Sequence, residues 1–245
     1  MNITGIILAG GQSRRMGRDK ALLEIGGVPV VSRVAAELSR VAGRIAVISS
    51  REEDYRFLGV PVIPDPEAFA GRGPLAGIRA GLAWAGTEWC VVCACDLPFA
   101  SAETIRVLLK AVAADEDWRG RAAASSNKAF GKAIGQASEQ IPPILPSVLA
   151  AIPVAPGGRA QPLLAVYHRS LLPSIDAELE AGRSRVMGWL EQVPAVYVPL
   201  EEAAGSRHGA GDPLLNMNSP EDYERARLLS GGQENGKNSP PEGNG

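Results

Sequence analysis

The chain has 245 residues, 45% of them hydrophobic and 5% aromatic, with 25 basic side chains against 27 acidic ones for a net charge of −2. That length buries a full core without disulfide or metal staples, and the near-neutral balance lacks the basic excess of a non-specific nucleic-acid binder. The 28 glycines and 19 prolines are many for a globular chain but fall short of a disordered composition.

Ile3 to Leu8 reads as a buried strand, bounded by the Gly10-Gly11 pair, and a polar Gly-rich loop follows from Ala9 to Lys20. Val30, Val31, Val34, Ala35, Leu38, Val41 and Ala42 recur at helical spacing. Pro29 suits the first turn of that helix and Gly43 its stop. Ile45 to Ser49 is a second short strand, and Val60 to Pro64 a third, placed at an edge by Pro61. Pro74 to Ala85 reads as a helix with Leu75, Ile78 and Leu82 on one face. Trp89 to Cys95 is apolar on both faces, as in a central parallel strand. Ser101 opens another helix carrying Ile105, Leu108, Leu109 and Val112.

Alternating strands and helices predict an α/β fold with a mostly parallel sheet and right-handed crossovers. Ligands of such sheets sit outside the carboxyl ends of the strands. The loops after Leu8 and after Cys95 therefore matter most. Residues 119–158 read as an excursion, a strand plus an irregular segment. Beyond it, Gln161 to His168 reads as a strand, Ser170 to Ala181 and Arg185 to Gln192 as helices, and Ala195 to Val198 as a short strand. Ser219-Pro220-Glu221-Asp222 is a capped helix start. Residues 231–245 read as a disordered tail.

Cys90, Cys93 and Cys95 are an odd number crowded into six residues, which is no disulfide framework. Their strand would send alternate side chains to opposite faces, and no fourth cysteine completes a zinc site. The opening Met1 to Thr4 lacks a basic region and Ile6 to Ala9 is too short for a signal peptide. No run reaches the roughly 20 apolar residues that cross a bilayer. A cytoplasmic protein without membrane or nucleic-acid partners is the expectation.

The loop Leu8-Ala9-Gly10-Gly11-Gln12-Ser13-Arg14-Arg15-Met16-Gly17-Arg18-Asp19-Lys20 fits neither the Walker pattern nor the dinucleotide fingerprint. It nonetheless suits a polyphosphate. Gly10 and Gly11 allow close backbone approach, and Arg14, Arg15, Arg18 and Lys20 supply four cations within seven residues. The bland alternative is a solvated basic turn. Asp96, in Cys95-Asp96-Leu97-Pro98, leaves a sheet strand opposite that loop, where a carboxylate can hold Mg²⁺ that keeps waters and bridges phosphate oxygens. The bland alternative there is a helix-capping acid.

Leu8 to Lys20 resembles the signature of the molybdenum cofactor guanylyltransferases, within the nucleotidyltransferases of Rossmann-like, three-layer α/β fold. Gly73-Pro74-Leu75-Ala76-Gly77, Cys95-Asp96-Leu97-Pro98, Gln161-Pro162-Leu163 and Asn216-Met217-Asn218-Ser219-Pro220-Glu221-Asp222 resemble that family's further signatures, in order, from Ile3 to about Leu229. The resemblance implies one domain over 1–230, with a GTP-binding half at about 1–118 and a molybdopterin-binding half at about 159–230. It implies that Leu8, Ala9, Gly10, Gly11, Lys20, Asp65, Gly73, Pro74, Leu75, Gly77 and Asp96 meet the nucleotide, with Asp96 also holding Mg²⁺. Gln161, Asn216 and Asn218 would face the pterin. Arg14, Lys20 and Asp96 would carry catalysis. The family's nucleotide-contacting Asn after the second strand is replaced here by Ile48-Ser49-Ser50.

The implied reaction joins GMP from GTP to the terminal phosphate of Mo-molybdopterin, with release of pyrophosphate. Apo-molybdoenzymes or their chaperones are implied recipients. Two other readings stand beside it, a cytidylyltransferase using CTP and a non-catalytic carrier of the finished cofactor. A phosphate monoester is mostly ionised near neutrality, so no general base is needed. The two histidines, His168 and His208, read as surface or packing residues.

Overall fold

The computed structural model describes residues 1–10, 19–114, 147–200 and 212–231. Parts of the expected excursion and of the tail, together with Gly11, Arg14, Arg15, Arg18 and His208, lie outside the described residues.

The first half alternates strands and helices as the periodicity predicts, with a hairpin and a short helix that the periodicity does not show. β1 (Ile3–Leu8) is followed by a hairpin of β2 (Glu24–Ile25) and β3 (Val28–Pro29), then α1 (Val30–Ser39) and β4 (Arg44–Ile48). A short α2 (Glu52–Tyr55) and β5 (Val62–Ile63) come next, then α3 (Pro74–Ala85), β6 (Trp89–Ala94) and a helix α4 through 102–114. In the second half β7 (Ala150–Val154) precedes β8 (Leu164–His168), α5 (Leu172–Glu180), α6 (Val186–Leu190), β9 (Ala195–Pro199) and α7 (Pro220–Gly231).

Seven strands form one sheet in the order β5-β4-β1-β6-β8-β7-β9. β1 pairs in parallel with β4 and β6, β4 with β5, and β7 with β9. β8 runs antiparallel to both of its neighbours, so the sheet is mostly parallel and unites strands from both halves of the chain. Alternate residues of each strand feed two cores. Ile7, Val47, Val91 and Cys93 pack with α1, α4 and Ala226 of α7. Ile6, Leu8, Ala46, Ile48, Cys90 and Val92 pack with α3, α5 and α6. The result is three layers, and Cys90 and Cys93 lie on opposite sides of the sheet.

Several boundaries differ from the sequence reading. Pro29 ends a strand and caps α1 rather than entering its first turn, and the helix closes at Arg40, three residues before Gly43. Gly43 instead donates its N–H to the Ile3 carbonyl and leads into β4. Part of the expected excursion is the regular strand β7. A 3-10 turn over Arg169–Leu171 delays α5 to Leu172. Gly231 belongs to α7.

Candidate active site

The chain leaves β1 toward β4 and β5 on one side, then returns to place β6 on the other. The crevice outside the carboxyl ends of β1 and β6 is therefore a topological switch point, the usual ligand position in such a sheet. Leu8 is in register with Ala94, which sets Ala9-Gly10 beside Cys95-Asp96. The Cys95 N–H donates to the Leu8 carbonyl at 3.0 Å and the Ala9 N–H to the Ile48 carbonyl at 3.1 Å. These bonds fix the exits of β4, β1 and β6 against one another.

Antiparallel β8 brings its amino end to the same edge. The Ala94 N–H donates to Leu163 O at 2.7 Å, which places Gln161-Pro162-Leu163 next to Asp96. The segment 216–218 closes the arrangement, with the Met217 N–H donating to Asp96 O at 2.9 Å. Lys20 donates from Nζ to Asn218 Oδ1 at 3.2 Å and to Asn218 O at 3.3 Å. Gln161, only 6% exposed, donates from Nε2 to Asn216 Oδ1 at 2.8 Å. Lys20, Asp96, Gln161, Asn216 and Asn218 thus meet at one edge of the sheet. Asn218 and Ser219 in turn donate their N–H groups to Asp222 Oδ2, both at 2.9 Å, at the start of α7.

Burial holds the Asp96 carboxyl above its ordinary range, and the Lys20 ammonium pulls the other way. The two groups therefore feel each other across the crevice. Asp96 could hold a divalent cation as a single carboxylate. Among the described residues no cluster of three or more His, Cys, Asp or Glu offers a fuller cage. That donor set suits Mg²⁺, which keeps waters and takes phosphate oxygens.

A second group of predicted residues gathers on the α3 side. Gly73, at φ 76° and ψ −168°, holds a backbone conformation open essentially to glycine alone. Pro74 starts α3, where a missing N–H costs nothing. The crossover from β5 to β6 aims this helix's N-terminus, with its partial positive charge, at the carboxyl edge. A Cβ on Gly77 would lie 3.1 Å from Leu8 Cδ2 and 3.9 Å from Asp65 Oδ1, so Gly77 leaves room where Leu8 and Asp65 converge. Asp65 Oδ1 is buried without a hydrogen-bond partner among the described residues. Burial holds that carboxyl up too, opposed by the Gly71 N–H. A buried acceptor left without a donor costs stability and is what a ligand's donor would satisfy.

Sequence reasoning missed Tyr55 and Arg51, which sit on and just before α2. Both bind the Asp19 carboxylate. Ser49 is buried and accepts the Arg51 N–H at 3.2 Å. His168 lies at the opposite edge, with Nδ1 2.7 Å from Ser170 Oγ and its ring edge-on to Trp89, a packing position.

Residues 5–195 match the MobA-like NTP transferase domain. The molybdenum cofactor guanylyltransferase of Rhodobacter capsulatus is 36% identical over 230 residues, 92% of this chain and 95% of that protein. A probable molybdenum cofactor guanylyltransferase of Pelotomaculum thermopropionicum is 30% identical over 237 residues, 97% and 98% of the two chains. The solved structure of molybdopterin-guanine dinucleotide biosynthesis protein A from Archaeoglobus fulgidus superposes with a TM-score of 0.65 at 23% identity, over 93% of this chain and 98% of that one. No described helix is long and apolar enough to cross a membrane.

Proposed function

The chain belongs to the MobA-like NTP transferase family, and from that premise we propose that it transfers GMP from GTP to the terminal phosphate of Mo-molybdopterin, forming molybdopterin guanine dinucleotide and pyrophosphate. The observation that carries the reading is the meeting of Lys20, Asp96 and Asn218 outside the ends of β1 and β6, in a chain resembling guanylyltransferases over nearly its whole length.

The chemical task is to bring two anions together. Repulsion between unit charges about 4 Å apart is about 4 kcal/mol at an effective dielectric near 20. Lys20, with Arg14 beyond the described residues, offsets it and stabilises charge growing on the leaving pyrophosphate. The attacking phosphate is mostly ionised near neutrality, so positioning replaces a general base. Mg²⁺, held by Asp96, would supply Lewis-acid neutralisation of the phosphate oxygens. Ala9, Gly10 and the α3 start from Gly73 to Gly77 receive the nucleotide, where Asp65 Oδ1 accepts a nucleoside N–H or O–H. Gln161 holds Asn216, and Asn218 holds Lys20, so each pterin-side residue is oriented before substrate arrives.

The test is incubation with molybdate-loaded molybdopterin, Mg²⁺ and each of the four NTPs, scoring which nucleotide becomes covalently attached. GMP attachment is expected. CMP attachment would transfer the chain to the cytidylyl reading, and nucleotide binding without pyrophosphate release would make it a carrier.

A further inference from the structure

Asp19 immediately precedes Lys20, and its carboxylate is engaged through both oxygens. Oδ1 accepts the Ala21 N–H at 3.0 Å, capping the 3-10 turn Lys20–Leu22. Oδ2 accepts the Tyr55 hydroxyl at 2.6 Å and pairs with the Arg51 guanidinium. Tyr55 is fully buried. Its oxygen also lies 3.3 Å from the Ala9 carbonyl and receives a hydrogen bond from Arg51 Nη2 at 3.2 Å. A phenol has one proton to give, and the short contact to a charged acceptor takes the larger share of it. Burial and the neighbouring Asp19 push the phenol's pKa upward, so it remains a donor throughout the neutral range.

One side chain from α2 therefore touches the chain on both sides of residues 11–18, at Ala9 and at Asp19. A tyrosine needing only to satisfy its hydroxyl could use the Ala9 carbonyl alone, and a neutral side chain could cap the Lys20 turn. Here a carboxylate whose side chain is only 10% exposed is desolvated between a phenol and a guanidinium, an expense that a turn cap does not need.

We propose that Tyr55, supported by Arg51, is a positioning residue for nucleotide binding: it ties Asp19 to Ala9 and so sets the backbone from which Lys20 reaches the triphosphate. The inference rests on the nucleotidyltransferase reading for what Lys20 meets. Tyr55 itself touches no reacting atom.

The test is a thermodynamic cycle on the full-length protein, comparing wild type, Tyr55→Phe, Lys20→Ala and the double variant. Affinity for Mg²⁺·GTP is measured by calorimetry and folding by thermal melting. Tyr55→Phe keeps the ring and removes the hydroxyl. It should weaken binding about tenfold, the size of one lost charge-assisted hydrogen bond, and less than about twofold when Lys20 is already absent, because coupled residues are non-additive. Unchanged affinity in Tyr55→Phe overturns the inference. So does an equal loss in both backgrounds, which would mark a direct ligand contact or general damage. Should Tyr55→Phe fold poorly, Arg51→Met is read through the same cycle and decides, its side chain being 44% exposed. Which nucleotide the wild-type protein binds is a separate measurement of the guanylyl reading. The cycle runs on whichever one binds, so either idea can fail alone.

Discussion

Asp96 is held between opposed demands. Its backbone carbonyl is bonded to Met217 and its carboxyl is lifted by burial, with Lys20 the main opposing influence. A carboxyl whose folded pKa exceeds its ordinary 3.8 still binds a proton that the unfolded chain has released. Stability of the metal-free protein must then fall as pH rises from the unfolded value through the folded one, and stay lower above it. Asp96→Asn should therefore raise the melting temperature in chelator at about pH 7, and raise it less at about pH 3, below the unfolded value of 3.8 where the penalty is absent. The same variant should lose on the order of 10²-fold in turnover, the size of lost transition-state electrostatics. An equal melting shift at both pH values, or full turnover, would refute the assignment. Asp65, likewise lifted by burial and with one oxygen unpartnered among the described residues, is a second carboxyl whose ionised form burial disfavours.

Among the elements, α3 shows how close packing shapes the crevice. Ala76, Gly77, Ala80, Gly81 and Ala85 are all buried, letting the helix approach β1. A Cβ on Gly81 would fall 2.6 Å from Ile6 Cγ2, and Ile6 is fully buried and branched at Cβ, so it cannot swing aside. Helix propensity alone favours alanine over glycine by about 1 kcal/mol, but overpacking costs about 1–3 kcal/mol. Gly81→Ala should lower stability in denaturant titration. Gly188→Ala is the contrasting control. In α6 the new methyl would meet only Arg185 Cβ, at 3.9 Å, and propensity should make that change neutral to stabilising. If both variants move the same way, the close approach of α3 to β1 is not what requires the glycine. The β2–β3 hairpin makes a different use of a short element. Tyr223 of α7 donates its hydroxyl to Glu24 O at 2.9 Å, which anchors the last described helix near the start of the chain.

Across the whole molecule, the site is a junction of distant segments. Lys20 and Asn218 are 198 residues apart in sequence, and Gln161 and Asn216 are 55 apart. Arg159 donates from Nη2 to Leu214 O at 3.1 Å, another 55-residue span. A ligand that bridges Lys20 and Asp96 joins segments that must all be folded at once, so its binding energy appears as global stability. GTP with Mg²⁺ at 100 times its dissociation constant should add about 2.7 kcal/mol to unfolding, while CTP should add almost nothing. A thermal melt in the presence of each nucleotide checks this without requiring the pterin. A GTP shift that survives chelation of the metal would separate nucleotide binding from Asp96.

By itself, the amino-acid sequence determined what short-range signals can carry. The twelve residues from Pro74 to Ala85 spelled α3, which ends at Gly86 in a left-handed turn. The unbroken apolar run from Trp89 to Ala94 spelled a strand covered on both faces, and Ser219-Pro220-Glu221-Asp222 spelled the entry to α7. Lys20 and Asp96 were legible as candidates from their chemistry, and Gln161, Asn216 and Asn218 only from the resemblance they carry. Two-residue strands such as β2, β3 and β5 are too short to show a period of two, so the hairpin was invisible and β5 was drawn too long. Only the tertiary structure decided that Gln161 holds Asn216, that Asn218 holds Lys20, and that Tyr55 and Arg51 grip Asp19. Those partners are chosen by strand order: β1 beside β6, and β8 reversed against it, bring the segments to one edge. Strand order is a property of the closed sheet, because no residue's local preference encodes which distant backbone will pair with its own.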